Sequence, residues 1–241
     1  MSDLTDTTLF KALDGLRPVH GGDGRYPDVG QWTEHLDPQQ LEPCVYGYHL
    51  TRGPQVLGWL GPTLYVAEAC PDHPPVDDSD KLVTCRARLV RRLARWDETT
   101  ARLFAADCAE AALLGERACG REPDPRLWAA VDAARAFARG EITEATLSAA
   151  RDDAWAAAAA TRGDAAADAA VRAAVLRAAA WDAAEAAAWA AISAAWDAAA
   201  WDAWAAEQAA EDALYRRLCA YLEGAPLPPV EPLYGKETLG E

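Results

Sequence analysis

The order of apolar and polar positions changes character near residue 96. Before that point, short apolar runs are separated by glycine and proline: "TLFKAL", "CVYGYHLT", "TLYVAEA" and "KLVTCRARLV". Runs of this length that alternate in polarity and end in turn-forming residues predict half-buried strands. "HGGDGRYPD" predicts a glycine turn, and "GPQVLGWLG" predicts one or two helical turns closed by glycine. The first 96 residues therefore read as a small α+β module.

From residue 97 the apolar positions fall at helical spacing. "WDETTARLFAADCAEAALL" places Leu103, Phe104, Cys108 and Leu113 or Leu114 on one stripe, with Asp97 as a candidate N-cap. "DPRLWAAVDAARAFARG" carries a full set of boundary signals: Asp124 to cap, Pro125 in the first helical position and Gly140 as a stop. A third helix is expected from Thr143 to the break at "TRGD", residues 161–164.

Residues 164–223 contain neither glycine nor proline. As one helix they would extend about 90 Å at ~1.5 Å per residue. A compact globule of this length is only about 45 Å across, so the segment either projects or folds back. On a helical wheel Trp181, Trp189, Ile192 and Trp196 share one arc, with Glu185 in its middle. Trp201 and Trp204 lie on a neighbouring arc. Two apolar faces imply two neighbours. Those neighbours are other helices of the same chain, a second copy, or a partner protein. A carboxylate such as Glu185 within an aromatic arc needs an arginine partner or recognises a cationic group.

Composition narrows the function. The formal net charge is -15 at pH 7, from 38 acidic and 23 basic side chains, which repels a phosphate backbone. No nucleic acid is expected as a partner. Charged residues interrupt every alanine-rich run, so no membrane span is expected, and "MSDLTDTTLF" lacks the features of a signal peptide. The expected location is cytoplasmic. Six widely spaced cysteines are then expected to be free thiols packed as small apolar groups.

Candidate chemistry is sparse. No phosphate-binding loop, nucleophile elbow or zinc-protease motif is present. Cys44, His49, Cys70 and His73 have ligand-forming side chains, but their spacing is not that of a zinc finger, so neither metal nor cofactor is expected. His49, Thr51 and Arg52 stand at the end of a strand beside glycine, a place where ligand sites form, and they define a candidate pocket.

"ARLFAADCAEAALL", then "DPRLWAAVDAARAFARGEIT" and an alanine-rich run, resembles the helical domain of Imm-5-like bacterial immunity proteins over residues 97–160. The upstream "GYHLTR", "WLGPTLYVAEA" and "DDSDKLVTCRARLVRRLARWDE" are similar to the domain that precedes those helices. The resemblance implies a non-enzymatic protein that neutralises a toxin or other effector by binding it, without a cofactor. Asp107, Cys108 and Glu110 match the family motif. Read as residues, Asp107 and Glu110 are helix charges suited to pair with Arg102, Arg135 or Arg139.

The expected organisation is an α+β module over 1–96, an alanine-rich helical domain over 97–223 with a long last helix, and a proline-containing tail over 224–241. The expected partner is another protein or a second copy, met through Trp181, Glu185, Trp189, Trp196, Trp201 and Trp204. Two other readings stay open. One is a nucleotide-binding or ADP-ribosyltransferase-like enzyme on the first module, and the other an oligomeric assembly protein joined by the tryptophan seam.

Overall fold

Leu9–Asp14 forms the central strand, β1, because apolar side chains at both odd and even positions give it two faces to bury. The computed structural model describes residues 4–19, 21, 22, 24–160, 191 and 203–235, without the side chains at 158–160, 203 and 204. The fold is α+β, an antiparallel sheet module followed by helices. The chain divides into two units, one of residues 1–97 with 222–224 and one of 98–221 with 225–241.

In the first unit the strands are β1, β2 (Arg17–Pro18), β3 (Tyr48–Arg52), β4 (Thr63–Ala69), β5 (Val76–Asp77), β6 (Leu82–Thr84) and β7 (Ala87–Arg92). All pairings are antiparallel, in the order β5-β6-β3-β1-β4-β7, with β2 hairpinned onto β1. That order forces curvature. β6 and β7 lie four strand spacings apart, about 19 Å in a flat sheet. Only Cys85 and Arg86 separate them in sequence, and three extended steps cover about 11 Å at most. The sheet must therefore curl until its two sides meet at this corner. The segment 30–36 runs beside β7, where Thr33 N–H donates to the Ala87 carbonyl and Leu36 N–H to that of Cys85, each at 2.9 Å.

Leu13, Leu50, Tyr65, Ala67, Leu82, Ala87 and Leu89 form the core inside the curl, with Leu9 and Tyr48 packed against it. Each fully buried leucine contributes roughly 1.5–3 kcal/mol. Phe10 and Leu64 are fully buried from the other side of the sheet, where the 3-10 turn Gly53–Trp59 buries Val56 and Leu57.

Among the described residues, the second unit holds α1 (Glu98–Ala118), α2 (Pro125–Ala138), α3 (Glu144–Ala160) and α4 (Ala203–Glu223). α1 packs on α2, and α2 on α3. α2 starts as its sequence dictates: the Asp124 carboxylate accepts from the Arg126 N–H at 2.9 Å, and Pro125 needs no donor in the first turn. Alanines 105, 106, 109, 111 and 112 are buried on α1, so neighbouring segments approach closely. Part of the expected tail is bound. Leu233 and Tyr234 are buried against α1, and Gly115 makes room for the Tyr234 ring, since a β-carbon there would lie 2.6 Å from it. That need outweighs the roughly 1 kcal/mol a mid-helix glycine costs.

Trp181, Glu185, Trp189, Trp196 and Trp201 lie outside the described residues, and so does the course of the chain over 161–190. Trp204 falls within α4, its side chain outside the description. Among the described residues no helix is long and apolar enough to cross a membrane.

Candidate functional site

Lys11 sits where the alternation of β1 calls for an apolar side chain. Positions 9 and 13 on its own face are leucines packed into the core, so the pleat carries the lysine into the same interior. There it borders a cavity of about 1030 Å³ on the inside of the curled sheet. Tyr26, Tyr48, His49, Thr51, Trp59 and Lys81 line the same cavity.

Two cations enter the space under different conditions. The Lys81 ammonium lies 2.6 Å from Asp80 and 3.3 Å from Asp78, over the face of Trp59 at 5.1 Å. Burial opposes its charge, but the bonds to Asp80 and Asp78 outweigh burial and hold its pKa above the ordinary lysine value. Lys11 has no carboxylate partner among the described residues. Its Nζ donates to the His49 carbonyl at 2.9 Å and lies 5.4 Å from the centre of the Tyr26 ring. Burial alone brings its pKa down to about 8.

The aromatic lining is set by packing. Tyr26 and Tyr48 meet edge to face at 5.9 Å, and burial, with Tyr48 beside it, pushes the Tyr26 phenol far above its usual range. His49 reaches the cavity from β3, its Nε2 accepting the Cys44 N–H at 2.9 Å. Nε2 is thus the unprotonated nitrogen of a neutral ring. Burial first, then the charges of Lys11 and Lys81, hold the imidazole pKa below its ordinary value, against the opposing effects of Gly47 and Asp78. The same hydrogen bond clamps Cys44, the one non-glycine residue with positive φ among those described, at 63°.

Of the three residues expected at the pocket, His49 and Thr51 line the cavity. Arg52 is not part of the lining, and its guanidinium pairs with Asp77 at 3.0 Å. Lys11, Tyr26 and Lys81 are additions that the sequence reading does not contain. A lysine flanked two residues either side by leucines is the signal that marks Lys11. Tyr26 stands in a stretch that reads only as a turn.

Ligand-forming side chains gather elsewhere in the first unit. His35, Cys70 and Cys85 present one nitrogen and two sulfurs within 4.8 Å of one another. The Cys44 backbone N–H is bonded to the His49 ring, and neither residue belongs to that group.

In the second unit, Asp107 accepts from Arg135 at 2.6 Å, from Arg217 Nε at 2.6 Å and from the Tyr221 hydroxyl at 2.5 Å. Arg135 also pairs with Glu110. Arg102 and Arg139 are engaged with Glu98 and Glu141 instead. The motif residues Asp107 and Glu110 therefore form a helix-linking charge network.

Comparison of the chain with protein-family models, curated proteins and solved structures returns no match. The resemblance to Imm-5-like domains gains no support from them.

Proposed function

We propose that the first unit is a small-molecule-binding module whose cavity takes an anionic ligand with a flat ring, of the nucleotide type. The observation that carries this reading is Lys11, a half-buried ammonium with no carboxylate partner among the described residues, beside an aromatic-lined space of about 1030 Å³. A charge in such a place raises the energy of the empty protein, and an entering anion would relieve it. Tyr26, Tyr48 and Trp59 offer ring faces and edges for stacking. The size suits a drug-sized or nucleotide-sized molecule.

Calorimetric titration with nicotinamide and adenine mono- and dinucleotides tests the proposal. Saturable binding that Lys11→Met weakens at least tenfold is expected. Flat titrations across that set, or binding indifferent to the substitution, overturn it.

A second proposal concerns the helical unit, where the Imm-5-like resemblance implies protein binding. Trp155 on α3 is 60% exposed, a large ring left facing solvent, which favours a contact role. Trp155→Ala is expected to leave the helical circular dichroism and unfolding midpoint unchanged while weakening self-association or effector capture. A loss of fold instead would assign the ring to packing.

A further inference from the structure

We propose that the corner where the sheet closes is a zinc site, formed by Cys70, Cys85 and His35 with His73 as the fourth ligand. These residues come from three separate segments. Cys70 follows the last residue of β4, Cys85 is in the turn between β6 and β7, and His35 stands on the segment hydrogen-bonded along β7. His73 lies in the loop just beyond Cys70.

The spacing of the donor atoms fits a tetrahedral ion. Zinc–sulfur bonds of about 2.3 Å and zinc–nitrogen bonds of about 2.0–2.1 Å place ligand atoms roughly 3.5–3.8 Å apart. Cys85 Sγ and His35 Nε2 are 3.8 Å apart, and the three donors all lie within 4.8 Å of one another. The His35 and His73 ring centres are 5.9 Å apart, tilted by 57°. Two imidazoles on one tetrahedral ion have centres about 5 Å apart. His73, the imidazole beside His35, would complete the set by turning toward the three donors.

The chemistry agrees with the geometry. Two thiolates and two neutral imidazoles balance a doubly charged cation, so the site carries no net charge. Sulfur and imidazole donors select zinc over magnesium or calcium. Hydrogen bonds already fix the backbone around the donors, since Cys70 N–H donates to Thr84 Oγ1 at 3.1 Å and that hydroxyl donates to the Arg86 carbonyl at 3.1 Å. Both cysteines are buried free thiols.

The test uses the full chain, reduced and stripped with a chelator, then titrated with Co²⁺ and Zn²⁺ in turn. One equivalent of Co²⁺ should bind with thiolate charge-transfer absorption and the strong visible bands of a tetrahedral ion, and Zn²⁺ should displace it. Cys70→Ser, Cys85→Ser and His35→Ala should each lower Zn²⁺ affinity by more than about a hundredfold, beyond what loss of a supporting residue causes. His73→Ala should weaken binding and alter the visible bands. Absence of stoichiometric metal, or a cobalt spectrum without thiolate charge transfer, overturns the site. Those readings need only the wild-type chain, so a variant that fails to fold cannot hide the answer. Undiminished affinity in His73→Ala overturns the fourth ligand.

Discussion

The Lys11 ammonium donates to the backbone carbonyl of His49 at 2.9 Å, tying the middle of β1 to the neighbouring strand β3 at the edge of the cavity. That carbonyl belongs to a residue whose own ring nitrogen receives the Cys44 N–H. A cation inside the curl is thus linked through one residue to a loop at its wall, and a ligand that draws Lys11 away would be felt there.

Lys11 should be more reactive than Lys81 near neutral pH. Its pKa of about 8 leaves an appreciable neutral fraction, whereas Lys81 is held charged by Asp80 and Asp78. Reductive methylation at pH 7.5, read by peptide mass spectrometry, should label Lys11 ahead of Lys81. The reverse order would contradict its environment.

The same shift predicts a pH dependence. A lysine whose pKa falls from 10.5 to about 8 on folding binds fewer protons folded than unfolded between those values. Stability therefore rises with pH across that window, and below it the folded state carries a penalty of about 3 kcal/mol. Lys11→Met removes the penalty. Urea midpoints at pH 7 should be higher for the variant, and its pH slope between 8 and 10.5 shallower.

Asp107→Ala should cost the second unit about 3 kcal/mol, because Arg135, Arg217 and Tyr221 lose a shared acceptor at a nearly buried position. Asp107→Asn, which keeps an oxygen acceptor, should cost less. Chemical unfolding followed by the helical signal distinguishes them. Equal and small losses would show that Glu110 and solvent replace the aspartate.

Glu116 gives the second unit an acid limit. Burial raises its pKa, but hydrogen bonds from Arg121 at 2.6 and 2.7 Å and from Tyr234 at 2.9 Å outweigh burial, leaving the folded value below the ordinary one. The stability this contributes is present above the ordinary glutamate range and is lost as pH falls through the folded value. Tyr234→Phe removes one of the bonds. Its acid unfolding midpoint should move to higher pH.

Gly53→Ala should destabilise the first unit by more than about 1 kcal/mol. Gly53 has φ of 50°, and an added β-carbon would meet the Asp6 carbonyl oxygen at 2.5 Å and its Cα at 2.9 Å, both main-chain atoms that cannot swing aside. Thermal unfolding with a first-unit probe checks it.

Local signals are readable in the sequence and long-range ones are not. α2 can be bounded because Asp124, Pro125 and Gly140 act within one turn of its ends. "KLVTCRARLV" reads as one strand, since no glycine or proline marks the bend at Cys85 and Arg86; only the pairing of β6 with β3 and β7 with β4 reveals it. β2 and β5, at two residues each, are too short to leave a pattern. The candidate pocket is half legible, through His49 and Thr51 on a strand. Tyr26 enters it by tertiary packing alone. The histidine and cysteines of the corner, His35, Cys70 and Cys85, are far apart in the chain, and nothing local ties them together.

The two-residue corner between β6 and β7 also orders events in time. Residues 82–92 supply a neighbour to β3 on one side and to β4 on the other, so nothing upstream of them can enclose the space that Lys11 faces. Before this stretch is made, β1, β3 and β4 lack the strands that border them, and the lysine between them is expected to stand open to water. The cavity is expected to close only when this one stretch emerges and pairs with both borders.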